Sequence, residues 1–157
     1  MGARTSEQIE NQVALALLRR HAQRLSTTFE LPIRALQAEG PRVKRRYGVC
    51  YSDGTIKIRL RSVRDGELLR ESSLVDTLCH ELAHLRHFNH GPHFQRLYRR
   101  ILEYARRHGI YRPGQPSRWR LPEAELRPEP VLLRRPPPLQ PPPAVVVRRI
   151  PIQLELF

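Results

Sequence analysis

The spacing of apolar residues near the start of the chain predicts an amphipathic helix from Glu7 to Leu25. Apolar side chains recur there three or four positions apart, which places them on one face of a helix. They are Ile9, Val13, Leu17 and Leu18. Ser6 directly precedes this stretch and is a suitable N-cap, because its hydroxyl can accept a hydrogen bond from a backbone N–H of the first turn.

A change to alternating polar and apolar residues predicts a β-hairpin after this helix. The alternating stretches run from Val43 to Tyr51 and from Thr55 to Leu60. Asp53-Gly54 lies between them, and this dipeptide is a strong hairpin signal.

Two further helices follow, separated by Gly91-Pro92. Ser72 or Ser73 can cap the first, which runs through a histidine-rich segment. The second extends from Pro92 to His108, and Gly109 ends it. Its apolar stripe consists of Phe94, Leu97, Ile101, Leu102 and Tyr104. The order helix, hairpin, helix, helix predicts a small α+β fold.

The composition changes sharply after residue 112. Residues 113–157 contain 12 of the 15 prolines, a density that a packed domain does not tolerate. We therefore expect one folded domain over residues 5–112 and a disordered, extended Pro/Arg-rich linker over residues 113–152.

The charge is strongly basic, with 28 Lys and Arg against 15 Asp and Glu, or +13. Within residues 5–112 there are 20 basic and 11 acidic side chains, so most of the excess lies on the domain. This balance favours a polyanionic partner, above all DNA. The alternative is a basic surface that only water contacts.

Two cysteines, Cys50 and Cys79, and no long apolar span predict a cytoplasmic protein without a membrane association. Cys79 directly precedes a histidine motif and is expected to be a small core residue rather than a metal ligand.

The motif His80-Glu81-Leu82-Ala83-His84 carries the chemistry. Histidines four apart lie on one face of a helix and can bind one zinc ion together. Glu81 beside them is placed to take a proton from water that the ion acidifies. This is the layout of a zinc peptidase.

Four residues compete for the third metal ligand. His90 lies beyond the expected helix end, where Asn89 and Gly91 permit a sharp turn back to the metal. Glu103 would give a two-histidine, one-carboxylate site. The other two candidates are His87 and His93. His87 would stay on the same helical face, and a third ligand from one straight helix fits tetrahedral geometry badly. We favour His90, with the other candidates still open.

Catalysis would also need a group that stabilises the negative oxygen of the transition state. The ion itself can do this, and the nearby donors are Tyr98, Tyr111 and Arg112. Two other interpretations remain open at this point: a metal site without catalysis, or no metal at all.

Several segments together resemble the SprT-like and YgjP-like zinc metallopeptidases. These segments are Tyr47-Gly48-Val49-Cys50, Ile56-Lys57-Ile58, Thr77-Leu78-Cys79-His80-Glu81-Leu82-Ala83-His84 and Asn89-His90-Gly91-Pro92-His93-Phe94. The resemblance implies a zincin-like domain with one zinc ion on His80, His84 and His90 and with Glu81 as catalytic base. It also implies a protein or peptide substrate, and members of the wider SprT-like group act on proteins crosslinked to DNA.

The last five residues, 153–157, resemble the bacterial sliding-clamp-binding peptide, Q-L-[SD]-L-F, with Glu155 at its middle position. Three apolar side chains would enter a groove while the Gln153 amide fixes the orientation. The apolar residues are Leu154, Leu156 and Phe157. The alternative is a tail that packs back on the domain.

These features combine into one hypothesis: a cytoplasmic zinc peptidase that a C-terminal peptide recruits to the sliding clamp, and that cleaves DNA-associated or DNA-crosslinked proteins. The alternatives are a metal-containing adaptor without activity and a general peptidase without a DNA link.

Overall fold

The computed structural model describes residues 2–120, and these form a small α+β domain, as the pattern predicts. The described part contains three α-helices, a three-stranded sheet and one short 3-10 helix. The helices are α1 (Gly2–Phe29), α2 (Glu71–His84) and α3 (Pro92–Arg107), the strands are β1 (Ala35–Ala38), β2 (Gly48–Cys50) and β3 (Thr55–Ile58), and the 3-10 helix is Arg118–Arg120. The predicted linker beyond residue 120 and the peptide at 153–157 lie outside the described residues.

Helix α1 differs from its prediction in its start and in its buried face. It begins at Gly2, so Ser6 lies inside the helix and does not cap it. Ile9 and Val13 are 56% and 41% exposed, although both belong to the expected apolar stripe. The buried apolar positions are Ala14, Leu18, Ala22 and Leu25. The prediction gave weight to large side chains, whereas the contact face is built around two alanines that let neighbouring elements approach closely.

The sheet confirms the hairpin and adds a strand that the pattern does not predict. Strands β2 and β3 pair antiparallel, and the turn between them passes through Gly54 with a φ of +86°. A Cβ on Gly54 would lie 2.6 Å from the Pro32 carbonyl oxygen, so only glycine fits there. Strand β1 pairs in parallel with β3, which gives the order β1-β3-β2. With four residues, two of them alanine, β1 carries little strand signal of its own.

The start of α2 is another correction. Neither Ser72 nor Ser73 caps it, because the helix begins at Glu71 and both serines lie in its first turn. The Glu71 backbone N–H donates instead to Ser117 Oγ at 3.0 Å. The Glu71 carboxylate accepts a hydrogen bond from the Arg118 backbone at 2.6 Å and pairs with its guanidinium at 3.1 Å. The packed unit therefore extends past residue 112, to a segment distant in sequence.

Helix α2 lies at the centre of the domain, between α1, α3 and the sheet. Its C-terminal half is buried on every side. The residues from Cys79 to His84 are each at most 4% exposed. Cys79 is a free, buried cysteine, as expected. The histidine motif is thus forced into the interior, where polar groups need partners.

Helix α3 confirms its predicted bounds to within one residue. It begins at Pro92, and Gly109, with a φ of +67°, follows its end. Within residues 2–120, no helix is both long and apolar enough to cross a membrane.

Candidate metal centre

Three imidazole nitrogens converge at the end of α2. The Nε2 atoms of His80 and His84 lie 3.2 Å apart, and His90 Nε2 lies 3.1 Å from each of them. His80 and His84 are one helical turn apart on α2, and His90 comes from the loop that joins α2 to α3. In the described part of the chain, this is the one group of three or more His, Cys, Asp or Glu side chains close enough to hold an ion together.

The loop that carries His90 turns through a side chain rather than through a strained glycine. Asn89 Oδ1 accepts a hydrogen bond from the Gly91 backbone N–H at 3.3 Å. Gly91 itself has an extended conformation, with φ of −68° and ψ of −177°, and serves as the N-cap position of α3. The Asn89 turn therefore reverses the chain directly before Pro92 starts the next helix.

Hydrogen bonding fixes the tautomer of His84. Its Nδ1 lies 3.0 Å from the His87 carbonyl oxygen, which can only accept. The proton is therefore on Nδ1, and the lone pair of Nε2 points at the other two rings. A backbone carbonyl in this position is the usual orienting partner of a metal-binding histidine.

His80 and His84 are neutral around pH 7. Burial, followed by the neighbouring His84 and His90, lowers the pKa of His80 to about 3. Burial is also the main reason why the pKa of His84 is lowered to about 4, against the opposing hydrogen bond to His87. Neutral imidazole is the form that binds metal ions.

The triangle of nitrogens fits a small cation. Hydrogen bonds cannot satisfy three mutually close ring nitrogens well, whereas one cation accepts all three lone pairs at once. The centre of such a triangle lies about 1.8 Å from each corner, close to the ~2.0–2.1 Å of a bond between zinc and nitrogen. Three protein ligands also leave the fourth tetrahedral position open, as in catalytic zinc sites.

Aromatic rings enclose the histidines. The ring of Phe94, which is fully buried, has its centre 4.4 Å from that of His84 and 4.8–4.9 Å from those of His80 and His90. Tyr98 lies 5.5 Å from His80 by ring centres, and its hydroxyl donates a hydrogen bond to Asp76. Burial and this hydrogen bond raise the pKa of Tyr98, so the hydroxyl stays protonated. These rings pack against the imidazoles and hold them in place.

Glu81 is a fully buried carboxylate on the same helix. Among the described residues, neither of its oxygens has a hydrogen-bond partner. Burial raises its pKa to about 8, although the nearby Arg46 favours the charged form. A carboxyl group with a pKa near neutrality can both accept and return a proton, and a cation beside it would lower that pKa.

Strand β2 leaves room for this carboxyl group because it begins with glycine. A Cβ on Gly48 would lie 2.8 Å from Glu81 Oε1 and 2.8 Å from Thr77 Cγ2. Real side chains do not approach so closely, so any larger residue at position 48 would displace Glu81.

The rival ligands lie elsewhere. Glu103 is exposed on α3 and pairs with Arg107 one turn later. The ring of His87 stacks on that of His93 at 5.7 Å, and His93 Nδ1 lies 2.9 Å from an Arg96 nitrogen. None of the three rivals belongs to the converging set.

Each of the three suggested oxyanion donors interacts with another group. Arg112 lies 3.8 Å from Glu71, at the opposite end of α2 from His84, and Tyr111 packs beneath Arg106. Tyr98 contacts the histidine cluster through its ring, but its hydroxyl is engaged by Asp76.

Sequence reasoning missed two supporting residues. Phe94 was expected as a core position of α3, without a role beneath the histidines, and Asp76 was not singled out. Helical spacing could have indicated Asp76, which lies four residues before His80 on α2, about one helical turn. It gives no such signal for Phe94, because His90 lies in the loop before α3.

Comparison with known proteins agrees with this class of site. The family model of the YgjP-like metallopeptidase domain matches residues 2–109. The chain therefore belongs to the YgjP-like metallopeptidase family, which confirms that part of the resemblance. The family implies a metal ion, and the three-histidine cluster is a group that could bind it. No curated protein and no solved structure shows significant similarity to the chain.

The cluster predicts which histidine matters for metal binding. Replacing His90 with Ala should weaken zinc binding by more than about 100-fold. Removing a metal ligand lowers the affinity more than removing a residue that only orients a ligand, which costs about 10- to 100-fold. His93→Ala and Glu103→Ala are the matched controls and should retain wild-type affinity. Competition of the apo-protein with a zinc chelator dye measures all three. Wild-type affinity in His90→Ala, or a large loss in Glu103→Ala, would contradict the assignment.

Proposed function

We propose that the protein is an active zinc peptidase that hydrolyses peptide bonds in proteins. In this proposal His80, His84 and His90 bind one zinc ion, and Glu81 is the catalytic base. The observation that carries it is the pairing of three converging imidazoles with a buried carboxyl group that has no partner among the described residues. Burying such a carboxyl group costs stability, which is typical of a residue kept for chemistry.

The residues of the chain divide the work of hydrolysis. When bound, zinc supplies Lewis-acid chemistry: it polarises a carbonyl oxygen and acidifies water. Glu81 accepts the proton of the attacking water and returns it to the leaving amine nitrogen. His87 holds His84 in the required tautomer through its carbonyl oxygen. Phe94 and Tyr98 pack against His80, and Phe94 also packs against His84. Both histidines are buried, which strengthens electrostatic interactions there.

Strand β2 offers a place for the substrate backbone. It is an edge of the sheet, and no other strand of residues 2–120 pairs with its outer side. All three residues of β2 are buried, so an extended peptide would pair with this edge through main-chain hydrogen bonds only after the groups that cover it move. Because Gly48 in this strand touches Glu81, a peptide bound there would pass beside the catalytic carboxylate.

Glu81 separates the enzyme from the adaptor alternative. Glu81→Gln should abolish hydrolysis of an unfolded model protein, because the amide cannot accept the proton. Its zinc content should stay at one equivalent, since Glu81 is not a ligand in this proposal. Hydrolysis is followed by gel electrophoresis and metal content by mass spectrometry. Full activity in Glu81→Gln would contradict the role of this residue, and an inactive wild-type protein with bound zinc would favour the adaptor.

The contact between Gly48 and Glu81 makes a second test possible. Gly48→Ala should lower turnover by on the order of 100-fold, because a displacement of about 1 Å of a catalytic group has that cost. The zinc content should not change. Gly40→Ala is the matched control, since a Cβ there would meet nothing within 4 Å. Equal turnover in both variants, measured at saturating substrate, would contradict the proposed position of Glu81.

We further propose that the substrates are DNA-associated or DNA-crosslinked proteins and that the enzyme acts in the cytoplasm at the sliding clamp. Two features support this. The chain has a net charge of +13, and its final residues resemble a clamp-binding peptide. Gln153, Leu154, Leu156 and Phe157 would provide that contact. They lie outside the described residues, so the support here comes from sequence alone.

Deletion of residues 153–157 tests the recruitment. The truncated chain should lose retention on an immobilised sliding clamp while it still cleaves an unfolded protein in free solution. Scrambling the same five residues is the matched control for length and composition and should behave like the deletion. Unchanged retention of the truncated chain would remove the clamp from the proposal. Cleavage of DNA-crosslinked and free protein at equal rates would leave a general peptidase.

A further inference from the structure

A basic groove lies on the surface next to the start of strand β2. It has a volume of about 340 Å³. Its charged and aromatic lining residues are Lys44, Arg45, Tyr47, Arg59 and Arg64. Asp and Glu are absent from this lining, which is drawn from the described residues.

The charges in the groove are available to a ligand. Lys44, Arg45 and Arg64 are exposed, and none of the three forms an ion pair with another residue of the described region 2–120. Their basic neighbours differ in this respect: Arg46 pairs with Glu39 at 2.9 Å, and Arg61 pairs with Glu10 at 2.6 Å.

Asp65 offsets part of this charge. It is exposed in the loop beside Arg64, and the arginine is one of the groups that lower its pKa. Asp65 does not line the groove, where Lys44 and Arg45 are exposed as well as Arg64.

Tyr47 gives the groove an aromatic surface. Its side chain is 49% exposed, and the Arg59 guanidinium lies over its ring at 5.4 Å from the ring centre. Arg59 is itself only 9% exposed and donates to the Val43 carbonyl oxygen at 2.9 Å, so it supports the tyrosine from below. A half-exposed ring backed by a fixed guanidinium is a platform on which another flat group can stack.

The groove and the candidate active site meet at the start of strand β2. Tyr47 directly precedes Gly48, the residue against which Glu81 packs. The Tyr47 carbonyl oxygen accepts a hydrogen bond from the Arg59 backbone N–H at 2.7 Å, which fixes this junction. A ligand in the groove would therefore lie next to a protein bound at β2.

We propose that this groove binds single-stranded nucleic acid, with Tyr47 stacking on a base and the three exposed cations contacting phosphates. A basic groove combined with an aromatic platform is the arrangement by which proteins bind single strands without sequence preference. An acidic peptide would use the charges but would leave the platform without a role. The inference rests on the proposed function for its biological meaning, since it would hold the enzyme on DNA beside its protein substrates.

The test uses the full chain, loaded with zinc and carrying Glu81→Gln so that no cleavage occurs. Fluorescence anisotropy with a short labelled oligothymidylate is measured over a range of salt concentrations. Tyr47→Ala should weaken binding on the order of ten-fold, because it removes base stacking. Tyr47→Phe keeps the ring and should bind like the parent. Arg45→Ala should lower the salt slope by about 0.7, the value for one phosphate contact in a single strand.

Controls distinguish the groove from general charge. Arg99→Ala removes one exposed arginine from α3, outside the groove, and should leave the salt slope unchanged. An oligouridylate of the same length shows whether RNA also binds, and Tyr47 dependence with either strand supports the proposal. Equal binding by Tyr47→Ala and its parent would overturn it. So would equally strong competition by polyglutamate, or an Arg99→Ala effect as large as that of Arg45→Ala.

The results distinguish a failure of the nucleic-acid proposal from a failure of the peptidase proposal. Tyr47-dependent binding combined with an inactive wild-type chain would remove the peptidase proposal and leave the groove. Hydrolysis by the wild-type chain without Tyr47-dependent binding would remove the groove and leave the peptidase.

Discussion

The burial of polar groups on α2 is the constraint on which the rest of the structure depends. His80, Glu81 and His84 occupy the interior of a small domain, where uncompensated polar atoms are costly. The surrounding elements compensate in different ways. The α2–α3 loop contributes a third imidazole and a carbonyl oxygen, and α3 contributes an aromatic floor. A cation would complete the arrangement by accepting the three lone pairs.

The two ends of α2 illustrate how differently this helix is held. At its start, Glu71 is tied by Ser117 and Arg118, residues more than 40 positions away. At its end, His84 is oriented by His87, only three positions away. Long-range contacts thus fix where the helix lies, and short-range contacts fix the direction of its ligands.

The candidate metal-binding histidines were easier to predict from sequence than the residues that pack around them. Helical spacing alone brings His80 and His84 together, and Asn89-His90-Gly91-Pro92 signals a turn before a new helix. The choice of His90 over His87 also depended on a local argument about helix geometry. Gly48 could not be assigned its role beside Glu81 from local pattern, because the contact joins residues 33 positions apart in sequence.

The fold was predictable where local residues signal a turn or a helix end. The hairpin and α3 have strong local signals, at Asp53-Gly54 and at Pro92 and Gly109. The prediction of the buried face of α1 was wrong because Ile9 and Val13 are large and apolar yet exposed. Small alanines on this helix pack against the core instead. The prediction that Ser72 or Ser73 caps α2 was wrong. Ser117, far along the chain, accepts the hydrogen bond from the first backbone N–H of the helix instead. Tertiary contacts override local preference in both cases.

The central claim is that one ion on three imidazoles makes this protein an enzyme. Titrating the metal-free chain with zinc, while bound metal and hydrolysis of an unfolded protein are measured in the same samples, tests it most directly. The account predicts that both quantities rise together and reach a plateau at one equivalent of zinc. Hydrolysis that persists in the metal-free chain, or that does not follow the bound zinc, would contradict it.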